Sequence, residues 1–338
     1  MSARDLSWRD DVVEALAGLE VLVDAPLSKR TTFGIGGPAD LLVTANTEAD
    51  VARVLAVVQA RTLPLFVLGG GSNLLVGDGG IRGVVLMLRG DLAEQQIEDD
   101  GHRIVVGCGC TFPRLTRTAL DLGWPGAVGW MGTPGQVGGA VLMNAGSNLG
   151  EVGADIVEVR AVSADGVSIY DREACGFAYR TSVFQRAGVG GAHRDPVANI
   201  SVTSTDQRMT YLVLTRAILE CEKSATEKVK ELDAHAKELL ARRHRTQPKL
   251  RSAGSLFKNP PGDFAGRLIE AAGLKEFTMG RAQVSPVHAN FVVNLGGATA
   301  ADVVGVADHV VAVVRQQFNI ELLWEVRRVG EFAVGGAP

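Results

Sequence analysis

The pattern of apolar and polar positions predicts alternating elements in the first part of the chain. Residues 10–20 read as a short helix, followed by a break at Asp24-Ala25-Pro26. Asp40 to Thr44 reads as a strand. Thr47-Glu48-Ala49-Asp50 has the form of a capping box, with Asp in place of the usual Glu or Gln. Val51, Val54, Leu55 and Val58 then recur at helical spacing. Leu63 to Leu68 is an apolar strand that runs directly into Gly69-Gly70-Gly71. Strand, helix, strand and glycine loop describe a small α/β layer with a ligand loop at a strand end.

Further along, Val84 to Leu88, Ile104 to Val106 and Ile156 to Val159 predict strands. Asp165-Gly166 is a hairpin signal, and Thr111 to Leu122 suits one helix. The middle is therefore expected to be mixed α+β. Thr226 to Arg243 is strongly helical, with Glu and Lys interleaved on its outer face. The last region reads as helix 264–272, strand 290–294, helix 300–318 and strand 320–328. Thr299 should cap the second of these helices and Asn319 should end it. Residues 186–198 form the best candidate for a mobile surface loop.

Composition adds bounds to this picture. A chain of 338 residues suggests about two domains. With 46% hydrophobic and 21% charged residues it can bury more than one core. A net charge of -4 excludes a general polyanion binder, so no nucleic-acid partner is expected. No stretch reaches the ~18 apolar residues of a membrane span. Met1 to Asp11 lacks the apolar core of a signal peptide. The cysteines are Cys108, Cys110, Cys175 and Cys221. The C-x-C pair lacks zinc spacing, and no metal is expected. All four are read as reduced thiols of a cytoplasmic protein, with a redox dithiol as the alternative. Glycine is the outlier, at 41 residues, well above the usual ~7%.

The glycines cluster where chemistry is expected. Gly69, Gly70 and Gly71 are followed by Ser72, Asn73 and Leu74, and expose backbone N–H groups in a nest suited to a diphosphate. No Gly-Lys-Ser/Thr follows, so this is not a P-loop, and no receiving helix makes it a dinucleotide fingerprint. An ordinary tight turn is the alternative. Gly132-Thr133-Pro134-Gly135-Gln136-Val137-Gly138-Gly139, continuing to Asn144 and Gly146, is expected to be irregular and to lie against a flat cofactor. Together the two clusters suggest an extended dinucleotide held from two sides. In Phe177-Ala178-Tyr179-Arg180-Thr181-Ser182, Arg180 could offer its fork to a carboxylate or phosphate, or lie on the surface at a strand end. Ser252-Ala253-Gly254-Ser255-Leu256-Phe257-Lys258-Asn259 combines small residues with a hydroxyl that could donate a proton. No nucleophile elbow surrounds Ser255. Glu325 next to Val326 and Arg327 is either functional or a structural ion pair. Arg242, Arg243, His244, Arg245, Lys249 and Arg251 form a basic run, a solvated helix end or an attractor for a phosphate-bearing substrate. His288-Ala289-Asn290 is a further polar cluster, a turn or part of a site.

These motifs occur in one order: Phe33-Gly34-Ile35-Gly36-Gly37, the Gly-Gly-Gly-Ser-Asn loop, Tyr179-Arg180-Thr181-Ser182-Val183-Phe184, Ala253-Gly254-Ser255-Leu256-Phe257-Lys258-Asn259-Pro260, His288-Ala289-Asn290-Phe291 and Glu325-Val326-Arg327. In that order the chain resembles the UDP-N-acetylenolpyruvoylglucosamine reductase family, of its second type, over about residues 27 to 330. Thr133 and Gln136 stand where the family pattern has smaller or aliphatic residues.

The resemblance implies an α+β protein: a vanillyl-alcohol-oxidase/PCMH-like FAD-binding fold over 28–222, with subdomains of about 28–85 and 86–222, and a C-terminal substrate-binding domain over 223–338. It implies non-covalent FAD, NADPH as co-substrate, and reduction of an enolpyruvyl UDP-sugar to UDP-N-acetylmuramate in peptidoglycan precursor synthesis. Arg180, Ser255 and Glu325 take the catalytic positions. Gly69, Gly70, Gly71, Ser72, Asn73, Leu74, Pro134, Gly135, Val137, Gly138, Gly139, Asn144, Gly146 and Arg327 take cofactor-binding positions. Tyr179, Arg245, Lys258, Asn259, His288 and Asn290 take substrate-binding positions. No membrane or obligate protein partner is implied. An FAD-dependent oxidase of the same superfold, or a non-catalytic flavin or nucleotide-sugar binding protein, are the competing readings.

Overall fold

The computed structural model describes residues 6–147, 149–186 and 211–332. From residue 187 on, the expected 186–198 loop lies outside the described residues. The chain divides into two compact units. One comprises Met1–Asp24, Asp40–Gly69 and Gly83–Leu240; the other comprises Ala25–Ala39, Gly70–Arg82 and Ala241–Pro338. The second unit thus takes in Ala25–Ala39 and Gly70–Arg82, which lie almost wholly within the 28–222 range that the resemblance implies for the FAD-binding part. Pairing and burial account for this. Leu74–Val76 runs parallel to Arg327–Val329, and Phe33, Ile35 and Leu75 are buried with Leu256, Val306 and Val310 in one core.

The first unit holds two sheets over one core. In the first sheet the order is Glu20–Pro26, Pro38–Ala45, Ile81–Leu88, Leu65–Val67. Leu65–Val67 and Ile81–Leu88 run parallel, which requires a crossover connection. The helix Glu48–Ala60 starts at the expected capping box: Thr47 accepts from the Asp50 N–H, and Asp50 accepts from the Thr47 N–H. Val51, Val54, Leu55 and Val58 form its buried face, as their spacing predicts. Arg9, on the helix Trp8–Ala15, reaches Asp40 at 2.6 Å, and Asp40 also accepts from the Gly83 N–H at 2.9 Å. That buried charge is thereby both paired and hydrogen-bonded. Glu20–Pro26 is a strand across the position where the sequence reading expects a break.

The second sheet is antiparallel and five-stranded, in the order Gly166–Asp171, Ile156–Ser163, Val213–Glu220, Arg103–Gly107, Gln95–Glu98. The hairpin at Asp165-Gly166 forms as predicted, with Ser163 opposite Gly166. Val213–Glu220 is the central strand, yet the sequence pattern gives it no element, because Thr215 and Arg216 interrupt its apolar run. Thr215 is fully buried and its hydroxyl bonds to Glu48 Oε1 at 2.7 Å, so the polar residue costs the strand little.

In the second unit a three-stranded antiparallel sheet (Thr278–Met279, Ala282–Val284, Val292–Asn294) packs with the helices Ala265–Ala271 and Ala300–Phe318. Thr299 caps the helix and Asn319 ends it at φ 55°, both as the sequence predicts, and Asp302 completes a capping box with Thr299. Asp78 adds a second cap, accepting from the N–H groups of Ala300 and Ala301 at 2.8 and 3.0 Å. The expected strand 320–328 is shorter than predicted. Only Arg327–Val329 is a strand, and Trp324 makes an isolated bridge to Phe257.

Candidate active site

In the first unit the glycine-rich segment is not irregular throughout, as its composition suggests. Val137–Leu142, including Gly138 and Gly139, is a short helix. Its entry is fixed by backbone bonds: Phe112 N–H to Gly135 O, Val137 N–H to Cys110 O and Gly138 N–H to Cys108 O, each 2.9 Å. These partners compensate for the poor helix propensity of glycine. They also occupy the N–H groups of Val137 and Gly138, which leaves no free donor for a phosphate at those two positions. Gly139 differs: a Cβ added there would meet nothing within 4 Å. Gly69 lies beside this segment, its added Cβ 3.4 Å from Gln136 Oε1. Pro134 is exposed, and Gly146 pairs with Glu151 in a short antiparallel ladder.

Asn144 sits at φ 44° and is 3% exposed. Its side chain is turned into the protein. Nδ2 donates to Glu151 Oε2 at 2.8 Å and to Ala178 O at 3.1 Å, while Oδ1 accepts from the Gly153 N–H at 2.9 Å. Ala178 and Thr181 exchange two backbone bonds of 3.0 Å around the turn Tyr179-Arg180. Arg180 is at φ 54°, a left-handed conformation uncommon for Arg. Its guanidinium lies 5.9 Å from the centre of the exposed Tyr179 ring.

The second unit brings together residues far apart in sequence. The Glu325 N–H donates to Leu256 O at 2.9 Å, which places Glu325 on an extended segment adjoining the one that carries Ser255. Asn73 donates from Nδ2 to Glu325 O at 3.3 Å, and its own carbonyl accepts from the Arg327 N–H at 3.0 Å. Arg327 is opposite Leu74 in the parallel pair. The Ser72–Leu74 stretch is thus joined directly to Glu325 and Arg327. Gly71, at φ 59°, is the position that needs glycine: a Cβ would lie 2.5 Å from Arg30 O. Its carbonyl is held by the Thr32 N–H at 3.2 Å.

Asn290 is 3% exposed, and both ends of its amide are spent on Phe257: Oδ1 accepts from the Phe257 N–H at 3.0 Å and Nδ2 donates to Phe257 O at 2.8 Å. With the Leu256 N–H bonded to Asn290 O at 2.7 Å, this residue holds the Ser255–Phe257 segment in place. The Asn290 N–H donates to His288 Nδ1 at 3.2 Å, and burial lowers the His288 pKa below its ordinary value. Asn259 Oδ1 accepts from the Ala265 N–H at 3.1 Å, which leaves its Nδ2 available. Lys258 and Arg245 are exposed. The holding roles of Asn144, Asn290 and Thr32 are not visible in the motifs, because each partner lies at least seven residues away in the chain.

The four cysteines are free. Burial pushes the Cys175 and Cys221 thiols up to about 12 and raises those of Cys108 and Cys110. Buried thiols held protonated are poor redox nucleophiles, which argues against a working C-x-C dithiol.

Two family models match the chain: an FAD binding domain over residues 39–169, and the UDP-N-acetylenolpyruvoylglucosamine reductase C-terminal domain over residues 247–329. A UDP-N-acetylenolpyruvoylglucosamine reductase from Anaeromyxobacter sp. (strain Fw109-5) is 41% identical over 329 residues, 97% of this chain and 94% of that one. The chain belongs to the UDP-N-acetylenolpyruvoylglucosamine reductase family. A UDP-N-acetylenolpyruvoylglucosamine reductase 2 from Symbiobacterium thermophilum is 38% identical, covering 89% of this chain and 90% of that one. The crystal structure of the reductase from Thermus caldophilus superposes with a TM-score of 0.70 at 34% identity, covering 92% of this chain and 98% of that one. The chain is thus an FAD-dependent oxidoreductase of peptidoglycan precursor synthesis, with NADPH as reductant and a UDP-sugar as substrate. Its residues fit a flavin. Open space faces Gly139, and Gly69 lies alongside, so backbone without side chains is offered to a flat group. No helix among the described residues is long and apolar enough to cross a membrane.

Proposed function

We propose that Arg180, Ser255 and Glu325 carry out the reduction of the enolpyruvyl group of UDP-N-acetyl-3-O-(1-carboxyvinyl)-glucosamine to give UDP-N-acetylmuramate. When bound and reduced, FAD would supply the hydride for the β-carbon of the double bond. The work of the chain is to receive the charge that follows and to provide a proton. Negative charge then spreads onto the substrate carboxylate. The Arg180 fork suits a carboxylate in two parallel hydrogen bonds. Glu325, in protonated form or through a water, adds a hydrogen bond to the same charge. The Ser255 hydroxyl gives its proton to the α-carbon, completing addition of hydride and proton across the bond. The observation that supports this reading is the 2.9 Å bond from the Glu325 N–H to Leu256 O, which joins the backbone segments that carry Glu325 and Ser255.

On this reading Gly69–Leu74, Pro134, Gly135, Val137, Gly138, Gly139, Gly146 and Arg327 would hold the FAD. Asn144 contributes to that surface through its backbone only. Lys258, Arg245, Tyr179, the Nδ2 of Asn259 and His288 receive the UDP-sugar. Asn290 supports them from behind. We infer a cytoplasmic location, where NADPH and nucleotide sugars are available, and no obligate protein or membrane partner.

The test is turnover. The purified protein should show flavin absorbance and oxidise NADPH only when the enolpyruvyl UDP-sugar is added. A colourless protein that FAD does not reconstitute, or rapid oxygen uptake with a simple alcohol, would replace this reading with a binding protein or an oxidase.

A further inference from the structure

Resting on the role given to Arg180 above, we propose that Asn144 and Ser182 are positioning residues that lock the Arg180 turn to the end of the helix Val137–Leu142. Flavin-facing helix and anion-binding arginine would then form one rigid piece. The turn Tyr179-Arg180 is closed by the Ala178–Thr181 pair, and both of its flanks are tied to the same helix end. Before the turn, Asn144 Nδ2 donates to Ala178 O at 3.1 Å. After it, the fully buried Ser182 donates from Oγ to Leu142 O at 2.8 Å.

The clamp is itself over-determined. The second Nδ2 hydrogen of Asn144 goes to Glu151 Oε2 at 2.8 Å, and Oδ1 accepts from the Gly153 N–H at 2.9 Å. The amide therefore has one orientation that satisfies its surroundings. Asn144 at φ 44° is in a region that Asn and Gly tolerate best. Arg180 at φ 54° is in the same region with a long side chain, a conformation that persists only where its surroundings impose it. A guanidinium that must meet a carboxylate in two bonds is sensitive to small displacements of its backbone. The clamp removes that freedom.

The experiment compares Asn144→Gly, Asn144→Asp, Ser182→Ala, Arg180→Lys, Arg180→Ala and the double variant Asn144→Gly/Arg180→Lys, all purified with FAD bound. Glycine keeps the backbone of residue 144 and removes the amide. Aspartate keeps its shape but turns oxygen toward the Glu151 carboxylate and the Ala178 carbonyl. The expected result is flavin content per chain within two-fold of the parent. Reoxidation of reduced enzyme by the enolpyruvyl substrate falls about ten-fold in Asn144→Gly and further in Asn144→Asp. In the Arg180→Lys background the Asn144→Gly change costs less than two-fold, because the group it positions is already lost. A purely structural Asn144 predicts equal losses in both backgrounds, and that result overturns the proposal. So does parental reoxidation in Asn144→Gly while Arg180→Ala is impaired. Parental reoxidation in Arg180→Ala would instead remove the reading on which the proposal rests. Should both Asn144 variants fail to fold, Ser182→Ala with and without Arg180→Lys applies the same cycle. Equal losses there overturn the proposal in the same way.

Discussion

The backbone N–H of Glu325 donates to the carbonyl of Leu256 at 2.9 Å, one residue beyond Ser255. Asn290 fixes the same segment from its other side, through Leu256 and Phe257. The Ser255 hydroxyl is thus carried on backbone held from two directions, as a proton donor requires.

Replacing Ser255 with Ala should leave flavin reduction by NADPH fast and slow the reoxidation by substrate about 10²–10⁴-fold, the usual contribution of a positioned acid. Stopped-flow measurement of the two half-reactions checks this. Unchanged reoxidation would remove Ser255 from its role.

Gly139→Ala separates folding from cofactor binding. Outside its own helix its Cβ would meet no atom of the described residues within 4 Å, and alanine in a helix is favoured by roughly 0.5–1 kcal/mol over glycine. Thermal stability without FAD should hold or rise, while FAD affinity falls, as read by flavin titration. Undiminished FAD affinity would place the flavin elsewhere.

Asp78→Ala removes the acceptor for the Ala300 and Ala301 N–H groups. The second unit should lose about 1 kcal/mol, the typical worth of a helix cap. Denaturant unfolding followed by Trp324 fluorescence would show it. No shift in midpoint would mean that Thr299 and Asp302 suffice.

His288 gives the second unit a pH dependence. Burial lowers its folded pKa from 6.5, so the unfolded chain binds more protons between the folded value and 6.5. Stability is therefore full above about pH 6.5 and declines as pH falls through that window. Protonation of Nδ1 would also break its bond from the Asn290 N–H. His288→Gln should flatten the fall in melting temperature between about pH 7 and pH 5.

What the sequence makes legible follows from how local each signal is. The Thr47–Asp50 and Thr299–Asp302 boxes, the Asn319 stop and the Ser163–Gly166 hairpin are all written within a few residues, and all form. The motifs carrying Arg180, Ser255 and Glu325 are equally local. The signals that fail to show depend on distant partners. Val213–Glu220 hides because Thr215 is polar until Glu48 satisfies it. The Val137–Leu142 helix hides because its glycines rely on the carbonyls of Cys108 and Cys110. The roles of Asn144 and Asn290 are set by backbone 33 or 34 residues away.

The parallel pairing of Leu74–Val76 with Arg327–Val329 has a consequence for biosynthesis. A ribosome completes the first of these segments some 250 residues before it makes the second. Throughout that interval Leu75, which ends fully buried, has none of its final neighbours from the C-terminal region. Until residues 327–329 are made, the nascent chain carries this apolar strand without its parallel partner, which makes the stretch a natural place for a chaperone to hold.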